Sequence, residues 1–205
     1  MGIDVLQEAK DQLDTEKYIK RINNDLDEIK SLVNTLRQYS SLDEFKIRLK
    51  NEPVDLRQLI PNLIENTNTN TTDIDITTNF TKDNIVVNTD PQYLTMFLVN
   101  SLSNALQHAN SFVEVNVKIN DGIKALESNR TGVLVTIEDD GNGISENDQA
   151  HVTKPFWRGV GNAEIKGHGL GLAIAACIAQ WLRAELVISK SASLGGASIS
   201  LLFRA

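Results

Sequence analysis

The sequence predicts an α/β two-layer sandwich, with a mixed sheet and helices on one face, preceded by a long amphipathic helix. Apolar and polar residues alternate in several short segments, which indicates strands, and segments of helical periodicity separate them irregularly. Ahead of these segments, one long stretch has apolar residues every three or four positions, which is typical of an amphipathic helix. We therefore expect a helical part in residues 1–50 and the sandwich domain in residues 51–205.

The composition of the 205 residues argues against several function classes. The formal net charge is −7, whereas nucleic acids and anionic membrane surfaces attract basic proteins, so neither is an expected partner. The single cysteine, Cys177, excludes a disulfide framework and a cysteine-rich metal site. No apolar run reaches the roughly 18 residues that a membrane span needs. We therefore expect a soluble, cytoplasmic polypeptide.

The N-terminal helix is predicted to extend from Thr15 to Ser40, and Asp14 or Thr15 can cap its start. Its apolar seam is narrow and is followed by a polar stretch from Asp43 to Glu52. Such a helix could pack on its own domain, but the isolated seam favours packing against a second chain or against a helix that this chain lacks. The seam consists of Ile19, Ile22, Leu26, Ile29, Val33 and Leu36.

A short helix and a hairpin are predicted next along the chain. Asp55 can cap a helix over residues 56–64, which Pro61 should kink or shorten because proline removes a backbone donor. Apolar and polar residues alternate over 74–80, and the apolar run 85–87 follows a polar turn. We therefore predict that these two segments pair as a hairpin.

A long helix is predicted next, because Asp90 can cap its start and Pro91 is a proline in its first turn. Of the two strands after it, the second runs directly into Asp139. The predicted elements are a helix over residues 91–109, strands over 113–119 and 133–137, an apolar helix over 172–182, and a hairpin of 185–189 with 197–203.

Two asparagines on the long helix form the first candidate site. Asn100 and Asn104 are four residues apart, so their amides project from one face of the helix. Two neutral carbonyl oxygens can share a hydrated Mg²⁺ with phosphate oxygens. Taken alone, the pair is more simply explained as two exposed helix asparagines.

The second candidate site is the turn after the second strand. Asp139 lies at the edge of the sheet, and Gly141 and Gly143 allow the chain that follows to approach a ligand closely. A buried carboxylate there could accept a hydrogen bond from the exocyclic amine of adenine. A tight Asp-Gly turn after a strand is the plainer explanation of this segment by itself.

The third candidate site is a glycine-rich junction over residues 167–172, which leads into the apolar helix. Such a junction presents unpaired backbone N–H groups at the positive end of a helix dipole, so it can bind an anion. Its spacing matches neither the phosphate loop GxxxxGK[ST] nor the dinucleotide motif GxGxxG.

In combination, these motifs resemble the GHKL superfamily of ATPases and kinases, and within it the catalytic domain of sensor histidine kinases. The resemblance covers Pro53 to the C-terminus. The matching motifs are the N box (Leu98–Ala105), the first glycine box (Asp139–Ile144), the phenylalanine box (Pro155–Arg158), the second glycine box (Gly167–Leu172) and a last small-residue turn (Gly195–Ser198).

The resemblance implies ATP and Mg²⁺ as cofactors. Asn104, assisted by Asn100, would hold the metal ion, and Asp139 would select adenine. Arg158 would act in catalysis at the start of a lid over Gly159–Lys166. The implied nucleotide-binding residues are Asn100, Asn104, Gln107, His108, Asp139, Gly141, Gly143, Ile144, Phe156, Arg158, Gly167, His168, Gly169, Leu170, Gly171, Leu172 and Ser198.

The resemblance also separates a kinase from a hydrolase. Hydrolytic members of the superfamily place a glutamate at the position of Asn100 as the general base for water, and an amide cannot do that work. We therefore expect the phosphoryl-donating part of a protein histidine kinase. The alternative is a degenerate, non-catalytic nucleotide-binding or interaction module, because Gln107 replaces a basic residue that is common in the family and the lid is short.

The phosphate acceptor is expected to be a histidine absent from this chain, upstream in the parent protein. His108, His151 and His168 all lack the acceptor motif, which has an acidic residue directly after the histidine and a proline five positions on. The N-terminal helix is similar to the second helix of the family's dimerisation and phosphotransfer hairpin, which implies a homodimer. The resemblance further implies a response-regulator partner and a parent kinase anchored in the inner membrane.

Overall fold

The computed structural model describes residues 49–67, 74–121, 131–159 and 169–204, which all lie in the compact unit Leu42–Ala205. The predicted N-terminal helix lies outside these residues, so it stays a prediction. The elements are β1 (Glu52–Asp55), α1 (Leu56–Thr67), β2 (Asp75–Phe80), β3 (Val86–Thr89), α2 (Pro91–His108), β4 (Phe112–Asp121), β5 (Thr131–Asp139), α3 (Glu146–Gln149), α4 (Gly171–Trp181), β6 (Glu185–Lys190) and β7 (Ala197–Arg204).

Five strands form the main sheet in the order β2-β4-β5-β7-β6. β2 runs parallel to β4, and every other neighbouring pair in this sheet is antiparallel. The sheet is therefore mixed, as the sequence predicted. β6 and β7 also form the C-terminal hairpin that the sequence predicted.

The predicted hairpin of residues 74–80 with 85–87 is wrong. β2 lies in the main sheet, where Ile76 is opposite Val113 of β4. β3 instead pairs with β1 in a separate two-stranded sheet, where Val87 is opposite Val54. The residue patterns correctly indicated two strands, but the pattern of one strand does not specify its partner. The short strand β1 was not predicted.

The two faces of the main sheet differ sharply. On one face the valines of β4 at 113, 115 and 117 are buried beside Ile137 and Ile199. The opposite face is polar where β4 and β5 lie side by side near Glu138, and there Asn116 donates hydrogen bonds to Glu114 and Glu138. The helices therefore cover one face of the sheet, which gives the two-layer sandwich that the sequence predicted.

Helix α1 is longer than the sequence predicted, because it continues through Pro61 to Thr67. Asp55 caps its start, accepting a hydrogen bond from the N–H of Arg57 at 2.9 Å. Proline removes one backbone donor, but apolar residues on both sides of it anchor the helix to the core. Ile60, Leu63 and Ile64 line a small apolar cavity together with residues of α2, β4 and β5.

Helix α2 begins as predicted, since Asp90 accepts hydrogen bonds from the N–H groups of Gln92 and Tyr93 at 3.0 and 3.3 Å. Near this end, the ring of Tyr93 meets Trp181 edge-on at 5.3 Å. Since Trp181 is the last residue of α4, the two packed helices run in opposite directions. The C-terminal part of α2 therefore lies towards the start of α4.

Within the described ranges, no helix combines the length and hydropathy that crossing a bilayer requires.

Candidate functional site

Asp139 is the most deeply buried charged residue of the candidate site, with 1% of its surface exposed. Its Oδ1 accepts hydrogen bonds from the N–H of Gly141 at 2.9 Å and of Ala197 at 3.1 Å. Its backbone carbonyl accepts a third bond, from the N–H of Gly196. Within the described residues, Oδ1 accepts both of the hydrogen bonds to this side chain, so Oδ2 can accept a hydrogen bond from a ligand.

Asp139 and His108 interact electrostatically, and burial acts on both. Burial raises the pKa of Asp139, and hydrogen bonds from Ala197 and Gly141 offset part of that rise. Burial lowers the pKa of His108, and the charge of Asp139 offsets part of that fall. Burial therefore disfavours the charged form of both the imidazole and the carboxyl group.

The loop after β5 also contacts the end of α2, where a Cβ placed on Gly141 would lie only 2.1 Å from the carbonyl oxygen of His108. Only glycine allows the two backbones to approach so closely. Beside this contact, the side chain of Asp140 accepts hydrogen bonds from the turn between α2 and β4. Asp140 was not among the predicted site residues, although an acidic residue before a glycine is a common signal for a side chain that caps a turn.

Asn100 faces the start of α4. Its amide N–H donates to the carbonyl of Met96 at 2.8 Å, which fixes the side chain and directs Oδ1 away from its own helix. A Cβ placed on Gly171 would lie 4.0 Å from that Oδ1. The structure therefore places the first asparagine of the N box beside the second glycine box, and half-buried Asn104 lies one helical turn further on.

The donor set near Asn100 suits a hard cation shared with a ligand. Among the described residues, no group of three or more His, Cys, Asp or Glu side chains could hold a metal ion. The amide oxygens of Asn100 and Asn104 are ligands that a hard divalent cation can share with oxygens of a bound ligand.

The start of α4 has the features of an anion site. Its N-cap residue, Leu170, makes no side-chain capping hydrogen bond, so the first N–H groups of this 11-residue helix remain available. Gly169 has φ +67°, and a Cβ there would lie 2.5 Å from the carbonyl oxygen of Trp157. The phenylalanine box therefore packs directly on the second glycine box, with Phe156 itself 59% exposed.

Most of the remaining candidate residues have a clear place. Gln107 is exposed in the last turn of α2, Ile144 is half-buried at the end of the first glycine box, and Arg158 is exposed at the end of the phenylalanine box. Leu170 and Leu172 are buried around the start of α4. The candidates Gly167 and His168 lie outside the described residues, as do residues 160–166 of the expected lid.

The structure does not bring Ser198 to this site. In the register of β7 with β5, Ser198 is opposite Glu138, so its side chain lies on the polar face of the sheet. Asp139 lies on the helix face, next to Ala197. A displacement of one residue along a strand reverses the side of the sheet, and sequence spacing did not resolve that difference.

Comparison with known proteins agrees with this arrangement. The family model described as histidine kinase-, DNA gyrase B-, and HSP90-like ATPase matches residues 89–205, more than half of the chain. The chain belongs to this ATPase family. The match contains α2, the loop after β5 and the start of α4, so it covers every part of the candidate site.

This member of the family is similar to bacterial sensor proteins. The sensor histidine kinase CpxA of Escherichia coli strain K12 is 27% identical over 177 residues, which cover 82% of this chain and 36% of CpxA. The swarming motility regulation sensor protein RssA of Serratia marcescens is 28% identical over 196 residues, which cover 91% of this chain and 38% of RssA. The chain thus spans well under half of the length of either relative.

Solved structures share the fold of this ATPase-family chain. Full-length ShkA in complex with AMPPNP aligns with a TM-score of 0.73 at 22% identity, covering 93% of this chain and 38% of ShkA. The mycobacterial sensor histidine kinase MprB aligns with a TM-score of 0.62 at 24% identity, covering 76% of this chain and 97% of that chain. These alignments confirm the predicted fold class.

Proposed function

We propose that this chain is the ATP-binding, phosphoryl-donating part of a two-component sensor histidine kinase. It would transfer the γ-phosphate of ATP to a histidine that the chain itself does not provide in an acceptor context. The observation that carries the proposal is the convergence of a buried carboxylate, Asp139, with an amide-bearing helix and an uncapped helix start in one ATPase-family domain. The names of the relatives, which are sensor kinases, support the same assignment.

Asp139 would select the base of the nucleotide. Its Oδ1 is committed to two backbone donors, whereas Oδ2 can accept a hydrogen bond from the exocyclic amine of adenine. Guanine carries a carbonyl oxygen at the corresponding position, which a carboxylate repels. Because the side chain is buried, its hydrogen bond with the base forms away from competing water.

Asn100, Asn104 and the start of α4 would hold the phosphates. The two asparagine oxygens would bind Mg²⁺, which neutralises phosphate charge when it is bound. The free N–H groups at the start of α4 would bind phosphate oxygens, and Arg158 would approach them from the phenylalanine box. Catalysis would then consist mainly of orienting the γ-phosphate towards the acceptor.

Asn100 supports a kinase rather than a hydrolase. Its amide nitrogen already donates to the carbonyl of Met96, and its oxygen has no basicity with which to activate water. A bound ATP would therefore persist until an acceptor histidine approaches.

We also propose the cellular setting that such a kinase implies. The N-terminal helix would dimerise with a second copy of the chain, and a response regulator would receive the phosphoryl group from the acceptor histidine. The domain would act in the cytoplasm, in a parent protein anchored in the inner membrane.

The decisive experiment combines binding with phosphoryl transfer. Calorimetry should show that the full chain binds ATP in the presence of Mg²⁺ more tightly than GTP. With γ-labelled ATP, the chain alone should acquire no acid-labile, base-stable label, whereas a supplied hairpin with an acceptor histidine should become labelled. Asn104→Asp should reduce this transfer, and Asn88→Asp, the same change on an exposed residue of β3, should not.

Nucleotide binding and phosphoryl transfer can fail separately, and the two failures have different meanings. ATP binding without any transfer to the supplied hairpin would favour the non-catalytic module. Absence of nucleotide binding would overturn the proposal as a whole.

A further inference from the structure

The loop after β5 is attached to the turn after α2 through a single side chain. Oδ1 of Asp140 accepts hydrogen bonds from the N–H groups of Asn110 at 2.8 Å, Ser111 at 3.1 Å and Phe112 at 3.1 Å. Its Oδ2 accepts the hydroxyl of Ser111 at 2.8 Å. We name these contacts, together with Asp140, the turn clamp.

The backbone of Asp140 closes the turn clamp from the other side. Its carbonyl accepts a hydrogen bond from the side-chain amide of Asn110 at 2.6 Å, and its N–H donates to the carbonyl of Phe112 at 3.2 Å. Asp140 thus forms hydrogen bonds, both as donor and as acceptor, with three successive residues of the turn. Such bonds to an ionised carboxylate are stronger than bonds between neutral groups.

The turn clamp holds two parts of the site that are remote in sequence. On one side, α2 ends at His108, directly before the clamped turn. On the other side, Asp139 directly precedes Asp140 at the end of β5. The separation of His108 from Asp139 therefore depends on how firmly the turn is held against the loop.

We propose that Asp140 is a positioning residue for nucleobase recognition, which sets the placement of His108 relative to Asp139 and thereby the preference for adenine over guanine. This inference rests on the proposed function. Asp140 itself does not contact the base, because its carboxylate oxygens are occupied by the turn. A purely structural role would change the stability of the domain and leave the choice of base unaltered.

The test compares a graded series of variants in the full chain. Ser111→Ala removes one of the four donor groups that bind the carboxylate of Asp140. Asp140→Asn places an amide N–H against donors, and Asp140→Ala removes both side-chain acceptor oxygens. Asp83→Asn is the charge control, since Asp83 is a fully exposed residue whose ion pair with Arg57 lies on the surface. The ratio of GTP to ATP dissociation constants is measured by calorimetry for each variant.

We expect the selectivity ratio to fall in the order of the bonds that are lost. The fall should be about twofold or less in Ser111→Ala, about fivefold in Asp140→Asn and roughly tenfold in Asp140→Ala, because small misplacements of binding groups have large effects. Asp83→Asn should keep the wild-type ratio. If Asp140→Ala does not fold, the order of the other two variants against the control decides the test.

A second readout reports on the placement of His108 directly. Burial lowers the pKa of this imidazole and the charge of Asp139 raises it, so a loosened turn should shift that pKa in an NMR titration of the Asp140 variants. An unchanged selectivity ratio and an unchanged His108 pKa, in variants that are merely less stable, would overturn the inference. If the wild-type chain itself bound no ATP, the proposed function would fail first, so the two failures are distinguishable.

Discussion

Two features of its surroundings act on the charge of Asp139 in opposite directions. It is almost entirely removed from water, which disfavours its charge, yet two backbone N–H groups point at one of its oxygens and favour that charge. Burial is the larger effect, because the pKa of Asp139 is raised. In the absence of a ligand, the buried charge of Asp139 therefore lowers the stability of the domain.

The first prediction concerns Asp139→Asn. Asparagine keeps the shape and the acceptor oxygen, but removes the charge that burial penalises. A carboxyl group whose pKa is raised on folding destabilises the folded state above that pKa, so the variant should melt at a higher temperature than wild type at pH 7 without nucleotide. Its ATP affinity should fall roughly tenfold to a hundredfold, as expected for a lost hydrogen bond to a charged group.

Thermal melting and calorimetry check the two halves of this prediction. Asp75→Asn, at an exposed position on β2, is the control and should change neither quantity. Unaltered ATP affinity in Asp139→Asn would contradict the assignment of Asp139 to adenine.

The second prediction concerns Asp140 and acid. Burial alone would raise the pKa of Asp140, but hydrogen bonds from Ser111, Phe112 and Asn110 outweigh it and lower that pKa from 3.8 to about 2. A lowered pKa contributes stability that is complete above the unfolded value and is lost as the pH falls towards the folded value. The advantage of wild type over Asp140→Asn in urea unfolding should thus be constant above pH 5 and shrink between about pH 4 and pH 2.

An advantage that stayed constant down to pH 2 would show that the turn clamp does not depend on the charge of Asp140.

Helix α2 is the element that joins the described start of the chain to the candidate site. At its first turn, Oδ1 of Asp90 accepts the N–H groups of Gln92 and Tyr93, and Oδ2 accepts the N–H of Lys50 at 2.7 Å. At its C-terminal end, His108 contacts the loop that follows Asp139. Asp90 therefore stabilises the helix and attaches it to a segment 40 residues earlier in the chain.

The third prediction separates these two roles of Asp90. Asp90→Ala should lower the free energy of unfolding by about 2 kcal/mol, roughly half from the lost cap and half from the lost bond to Lys50. Asp90→Ser keeps a capping oxygen and should lose only about half as much. Lys50→Pro removes the donor N–H and should cost about 1 kcal/mol, whereas Lys50→Ala keeps it and should cost little.

Urea unfolding measures these differences, and the double variant Asp90→Ser with Lys50→Pro completes the comparison. Because both changes affect the same hydrogen bond, their effects should not add. Full additivity would mean that the bond to Lys50 contributes no stability.

At the scale of the whole molecule, the chain combines an ATPase-family domain with an N-terminal segment that carries an isolated apolar seam. An apolar stripe of this length is rarely left in water, so it favours association with another helix. The family assignment rests on the domain, whereas the association rests on the sequence pattern alone.

The fourth prediction is that the full chain associates through this seam. Sedimentation at high micromolar concentration should show dimers in wild type and in Glu28→Gln, which changes the polar side of the predicted helix. Ile29→Asp places a charge in the seam and should shift the chain to monomers. A wild-type chain that stayed monomeric throughout would contradict the predicted dimer.

The sequence by itself determined most of the elements and the family to which the chain belongs. Local signals were sufficient for α2, because its cap, its proline and its apolar seam all lie within one segment, and for β5, which alternates up to Asp139. The family resemblance also followed from short motifs whose spacing is fixed within single helices and loops, and the match over residues 89–205 confirmed it.

The tertiary structure decided which elements meet. It placed β2 beside β4 rather than β3, turned Ser198 away from Asp139, and brought Asp140 against the turn after α2. Each of these outcomes depends on pairing between segments that are distant in sequence. Such pairing is determined by the packing of the whole core. The residue pattern of one segment therefore does not specify which other segment it pairs with.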